Sequence, residues 1–161
     1  MSDGTGSPTT GGAGPDAVAR LLRARLHGGQ ELWLPVDGRS MWPTIRPPAR
    51  VRLVAAAGPR PGEVWAFVEA GEAIVVHRCE RRAGPGYVFR GDGLPGPDPW
   101  VPAQRLIGHV VAVEDSRGRR SLGEGDRLLG MGRMIHHRVL AVARKSRKWV
   151  GGLMAGRSDG R

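Results

Sequence analysis

Apolar residues recur at two different periods along the chain. Val18, Leu21, Leu22 and Leu26 fall at helical spacing, with Arg20, Arg23 and Arg25 around them. This predicts a short helix, capped by Asp16 and stopped after His27 by Gly28-Gly29. From residue 32 the pattern becomes short apolar runs: Leu32 to Val36, Val51 to Val54, Val64 to Val68, Ala73 to Cys79, Tyr87 to Arg90 and Leu106 to Val113. Gly- and Pro-rich connections separate them, and the short link between the third and fourth runs has the form of a hairpin. Many short strands with such turns predict a mainly β domain of coiled, barrel-like antiparallel sheets. Beyond Leu122 the helical period returns at Leu128, Met131, Ile135, Val139 and Val142. These positions are set among Arg133, His136, Arg138 and the run Arg144 to Lys148, which predicts a basic amphipathic C-terminal helix.

Composition divides this pattern into three parts. Residues 1–15 are a Gly/Ser/Thr/Pro leader without apolar periodicity, read as disordered. Residues 16–115 form one β domain with its short helix, and 116–161 a basic helical tail. Charge follows the same boundary: 1–115 carries 13 Arg against 12 acidic residues, whereas 116–161 carries 12 basic against 3 acidic. The chain has one cysteine, Cys79, so an internal disulfide is excluded, and no Cys/His spacing suggests structural zinc. No metal or cofactor is implied. No run reaches the roughly 18–20 apolar residues of a membrane span, and the N-terminus lacks the basic and apolar regions of a signal peptide. The expected location is cytoplasmic, peripheral to the membrane if the basic tail binds it.

The candidate chemistry lies in Gly38-Arg-Ser-Met-Trp-Pro-Thr44. A nucleophilic serine needs an exposed hydroxyl at a sharp bend with backbone N–H groups free to hold an oxyanion. Gly38 permits the bend and Pro43 interrupts regular pairing. Alone, a serine in such a turn is usually only a turn residue. The choice of base is more informative, because serine nucleophiles of this kind use Lys or His. The two lysines, Lys145 and Lys148, stand in the basic tail. His77, inside the apolar run Ala73-Ile-Val-Val-His77, is the available base, with His109 its competitor. A core histidine with satisfied ring nitrogens is the plain structural alternative.

Taken in order, Gly38-x-Ser40-Met41-x-Pro43-Thr44, Gly62-Glu-Val-Trp-Ala-Phe67, Val75-Val-His77-Arg78, Gly91-Asp92 with Asp98, and Ile107-Gly-His-Val-Val111 resemble the boxes of signal peptidase I. The resemblance spans about residues 32–113. It is to the branch that uses His where the common bacterial enzymes use Lys. It implies the β fold shared by signal peptidases and SOS-repressor proteases, and a serine endopeptidase acting on a peptide or preprotein. Ser40 would be the nucleophile and His77 the general base, with Asp98 or Asp92 orienting His77. The Ser40 backbone N–H would serve the oxyanion, and Met41 and Pro43 would shape a groove that binds substrate as an added strand. The chain departs from the family in having Glu63 for Asp, Gly93 for Asn, Pro47-Pro48-Ala49 after the serine box, and no N-terminal membrane span.

Two other functions share these residues: a non-catalytic peptide-binding module of the same fold, and a self-processing regulator related to the SOS repressors. The latter uses a Lys base and an N-terminal DNA-binding helix pair, neither of which is visible here. The basic tail suggests contact with an anionic membrane surface, or a helix packed on the β domain with a solvated cationic face. The absence of interleaved aromatics and reader motifs argues against nucleic acid.

Overall fold

Pro15 opens the first helix, α1 (Pro15–His27), where its missing N–H is no loss. The cap position is Gly14, so Asp16, expected as the cap, lies within the first turn and instead accepts from Arg105 at 2.9 Å. The computed structural model describes residues 14–135. Most of the leader, together with His136, His137 and the Arg144 to Lys148 run, lies outside the described residues.

Eight strands follow: β1 (Leu32–Val36), β2 (Ala49–Val54), β3 (Val64–Val68), β4 (Ile74–Ala83), β5 (Gly86–Arg90), β6 (Val101–Pro102), β7 (Leu106–Asp115) and β8 (Gly118–Ser121). They form one antiparallel sheet in the order β1-β2-β7-β3-β4-β5-β6, curled as a half-barrel. The fold is therefore mainly β, as the spacing of apolar runs predicts. β8 pairs with the second half of β7, while β3 pairs with its first half. This strand was not legible in the sequence, because Gly118-Arg-Arg-Ser121 has no apolar face and relies on backbone pairing. A second helix, α2, runs from 124 through 135.

All five residues of β3 are buried, so both faces of the sheet are covered there. One cluster unites Val64, Ala66, Val68, Val76, Val110 and Val113 with Ala19 and Leu26 of α1, with Met41 of the serine box and with Ile45 just after it. The other contains Trp65, Phe67, Cys79, Phe89, Val101 and Leu106. Phe67 and Phe89 stack at 4.6 Å between ring centroids. Burying these side chains is the main stabilising term, at about 25 cal/mol per Å2 of apolar surface.

α2 uses only Met131, packed by Gly62, of the apolar stripe that its sequence suggests within the described residues. Leu128, Leu129 and Ile135 are exposed, and the helix meets the sheet through Asp126, Gly130 and Arg133. A Cβ on Gly130 would lie 2.4 Å from the Arg78 guanidinium. The glycine lowers helix propensity by about 1 kcal/mol, but here it permits the helix backbone to rest on a buried arginine.

Candidate functional site

β4 places successive side chains on opposite faces of the sheet. His77 and Arg78 thus enter different surroundings from adjacent positions. His77 pairs in register with Trp65 of β3 and sets its ring edge-on to Phe67, 6.3 Å between centroids. Its side chain is 7% exposed.

The ring is oriented from behind by Asp98. The loop from β5 to β6 is tied down where the Asp98 N–H donates to the Phe89 carbonyl at 2.8 Å, and the carboxylate then stands 2.6 Å from His77 Nδ1. A carboxylate only accepts, so Asp98 selects the tautomer of the neutral ring that carries its proton on Nδ1 and leaves the lone pair on Nε2.

The serine turn approaches the other side of the ring. The Gly93 N–H donates to the Ser40 carbonyl at 2.8 Å, binding the turn to the Gly91-Asp92-Gly93 loop. A Cβ on Gly91 would stand 2.5 Å from the Ser40 carbonyl oxygen and 3.0 Å from His77 Nε2. A single methyl group would touch both, so glycine is the residue that permits this approach. Among the described residues no hydrogen bond yet joins the Ser40 hydroxyl to Nε2. Bonds of this type often close only when substrate binds.

Ser40 and His77 line one open groove of about 410 Å3, walled by residues 35–38 on one side and 74–76 on the other. β1 is the end strand of the sheet, paired only with β2. β5 pairs with β4 only from Arg78 onward. Two strand edges without partners among the described residues therefore border the groove beside Ser40. Such edges accept an extended peptide through main-chain hydrogen bonds. A second pocket, of about 340 Å3 and walled by Phe67, Val75, Trp100 and Val101, lies against the His77 and Asp98 pair.

Asp92 has a different place from Asp98. Arg78 Nε and Nη2 both donate to it at 2.7 Å, and Thr44 Oγ1 donates to the same carboxylate. Arg78 and Asp92 side chains are 0% and 3% exposed. Burial works against the Arg78 charge, but the hydrogen bonds and charge of Asp92, with Asp126 at 3.0 Å, hold its pKa above the ordinary arginine value. Asp92, expected as a possible partner for His77, is thus committed to Arg78 because both lie on the other face of β4.

Met41 also differs from its expected role. It is fully buried beside Ile45 and Val51, and anchors the serine turn in the core instead of lining the groove. Pro43 is half-buried and stands outside the groove lining. His109, the competing base, stacks on Trp65 at 5.8 Å and borders a separate pocket with Glu63. Burial is the main cause lowering its pKa. Cys79 is fully buried, and burial first, then Glu63, pushes its thiol pKa up to about 12, which removes it as a nucleophile.

Sequence reasoning missed the roles of Arg78 and Thr44. The available signal was a charged residue inside an apolar strand run, which needs a buried partner. Among the described residues no three His, Cys, Asp or Glu side chains group as metal ligands. No protein-family model matches the chain, and no curated protein aligns with it as a relative.

Proposed function

We propose that the protein is a serine endopeptidase that cleaves an extended peptide or preprotein through an acyl-enzyme. The observation that carries this reading is His77 held at Nδ1 by Asp98 while it shares a groove with Ser40, with Gly91 packed against both Nε2 and the Ser40 carbonyl. The resemblance of residues 32–113 to signal peptidase I supports the same assignment.

In this mechanism the peptide lies along the groove between 35–38 and 74–76. Ser40 Oγ attacks the scissile carbonyl carbon as its proton passes to His77 Nε2, and Asp98 stabilises the imidazolium. The Ser40 N–H donates to the oxyanion. Collapse breaks the C–N bond, and Nε2 returns the proton to the leaving amine. Water then attacks the acyl carbon as His77 Nε2 takes its proton; collapse breaks the ester C–O bond, and Nε2 returns the proton to Ser40 Oγ, releasing the acid.

The proposed setting is the cytoplasm, with contact to an anionic membrane surface through the basic tail. Among the described residues no helix is long and apolar enough to cross a membrane. A non-catalytic peptide-binding module is the second reading, favoured by the absence, among the described residues, of a hydrogen bond between the Ser40 hydroxyl and Nε2. Incubation with an alanyl tripeptide p-nitrophenyl ester, followed by intact-mass and peptide mapping, separates the two. The peptidase reading expects an acyl adduct on Ser40 that is lost in Ser40→Ala and at least about 10³-fold slower in His77→Ala. Equal adduct formation in wild type and His77→Ala would sink it.

A further inference from the structure

We infer that residues 117–133, beyond the part of the chain that resembles a peptidase, form a positioning clamp on the nucleophile turn, with Arg133 as its closing residue. This rests on the Ser40/His77 reading for its catalytic consequence, though the clamp itself is independent of that reading.

The clamp converges on Thr44, four residues after Ser40. Both belong to one tight turn, in which the Ile45 N–H donates to the Met41 carbonyl at 2.9 Å. The Thr44 hydroxyl donates to Asp92 and accepts from Arg133 Nη1 at 2.7 Å and from Arg78 Nη2 at 3.5 Å. One donor and two lone pairs are the full capacity of a hydroxyl. The Thr44 carbonyl accepts from Arg117 Nη2 at 2.8 Å and also from Arg120 Nη2.

These arginines come from four places in the sequence. Arg78 is on β4, Arg117 precedes β8, Arg120 is on β8 and Arg133 is on α2. Asp115, whose side chain is fully buried, holds Arg117 and Arg120 at 2.8 and 3.0 Å and accepts from the Arg46 N–H at 3.2 Å. Asp126 of α2 meets the opposite end of the same network through Arg78. Arg133 also lies 3.7 Å from Asp92.

The physical consequence is specific. Ser40 sits at the start of a turn whose far end is gripped, and its own carbonyl is tied to the loop that carries Asp92. Thr44 and Asp92 are joined directly, so the turn and the loop move together. Loosening Arg133 frees the joint between the Ser40 turn and the Gly91 to Gly93 loop that packs against His77 Nε2. Misplacement of a reacting group by about 1 Å costs roughly 100-fold in rate, whereas substrate held along two strand edges is little affected. Several cationic residues of the tail are thereby committed internally and not to a partner.

The test uses the full chain, its Arg133→Met variant, which keeps the apolar stem and removes the donors, and Arg133→Lys, which restores a donor and the charge. Amide hydrogen exchange is read at residues 40–45 and 91–94. The expected result for Arg133→Met is exchange faster by roughly tenfold at those two segments only, with the β3 and β7 amides unchanged. Hydrolysis of the alanyl tripeptide ester should show kcat lower by about tenfold or more with KM within about twofold, and Arg133→Lys should recover part of both effects. Unchanged exchange at 40–45 overturns the clamp, and so does a uniform rise across the sheet, which would mark general destabilisation. Local loosening with unaltered kcat removes the positioning role. A wild type that forms no acyl adduct defeats the peptidase reading alone, because the exchange result still decides the clamp.

Discussion

His77 and Arg78 are neighbours on one strand, each bonded to an aspartate, yet they have opposite characters. The Arg78 and Asp92 pair is sealed from solvent, joined by two 2.7 Å bonds and extended by Thr44 and Asp126. Nothing about it is available for reaction. His77 has one nitrogen occupied by Asp98, no hydrogen bond at the other among the described residues, and lines an open groove. A buried ion pair with every site filled resists change, whereas a half-satisfied imidazole is chemically idle only until a partner arrives. Strand alternation thus allows two adjacent residues to divide the work, one holding the architecture and the other, in the proposed peptidase, moving a proton.

The division predicts opposite outcomes for the two aspartates. Asp98→Asn should leave the urea midpoint nearly unchanged and lower ester hydrolysis by about 10²- to 10⁴-fold, since the amide no longer fixes the tautomer. Asp92→Asn should do the reverse at the level of stability. Removing the charge leaves the buried Arg78 with Asp126 alone as a carboxylate partner, and chemical denaturation should report a loss of up to about 3–5 kcal/mol. If both variants lost stability equally, the separation of roles would fail.

Smaller changes sharpen the boundary between the two regions. Gly91→Ala inserts a methyl group 2.5 Å from the Ser40 carbonyl and 3.0 Å from Nε2. It should cost about 1–3 kcal/mol by overpacking and move the His77 ring resonances in NMR spectra, while leaving those of the β8 hairpin in place. Asp115→Asn probes the clamp through pH. The Arg117 hydrogen bond is the leading cause holding the Asp115 carboxyl well below the usual carboxylate range, with Arg120 and the Arg46 N–H adding to it against burial. Its contribution is full above the unfolded carboxylate value near pH 4 and is lost as pH falls through the lower folded value. Urea titrations should show the variant weaker by about 1–3 kcal/mol at pH 7, with the gap narrowing below about pH 4. The smallest effect is expected from Cys79→Ala, about 1 kcal/mol in stability and none in hydrolysis. Thiol reagents should modify wild-type Cys79 only on unfolding.

The apolar rhythm of the chain was sufficient to locate α1 and strands β1 to β5 and β7, because burial of one or both faces imposes periods of 3.6 and 2 on the residues themselves. It also marked the Ser40 turn, where Gly38 and Pro43 signal a bend. The strand β8 and the docking of α2 were not legible, since both depend on backbone pairing and on arginines meeting carboxylates and carbonyls far away in sequence. Met41 illustrates the same limit. The resemblance to signal peptidase I implied a place for it in the groove, but the turn folds it inward among Ile45 and Val51.

By itself the sequence determined a mainly β domain with a serine in a sharp turn, no lysine near it, and a histidine in an apolar strand. Only the tertiary structure decided that Asp98 and not Asp92 attends His77, and that Arg117, Arg120 and Arg133 serve Thr44. The reason is geometric. A strand fixes which face each residue takes, but the occupant of that face is supplied by loops whose closure no local pattern encodes.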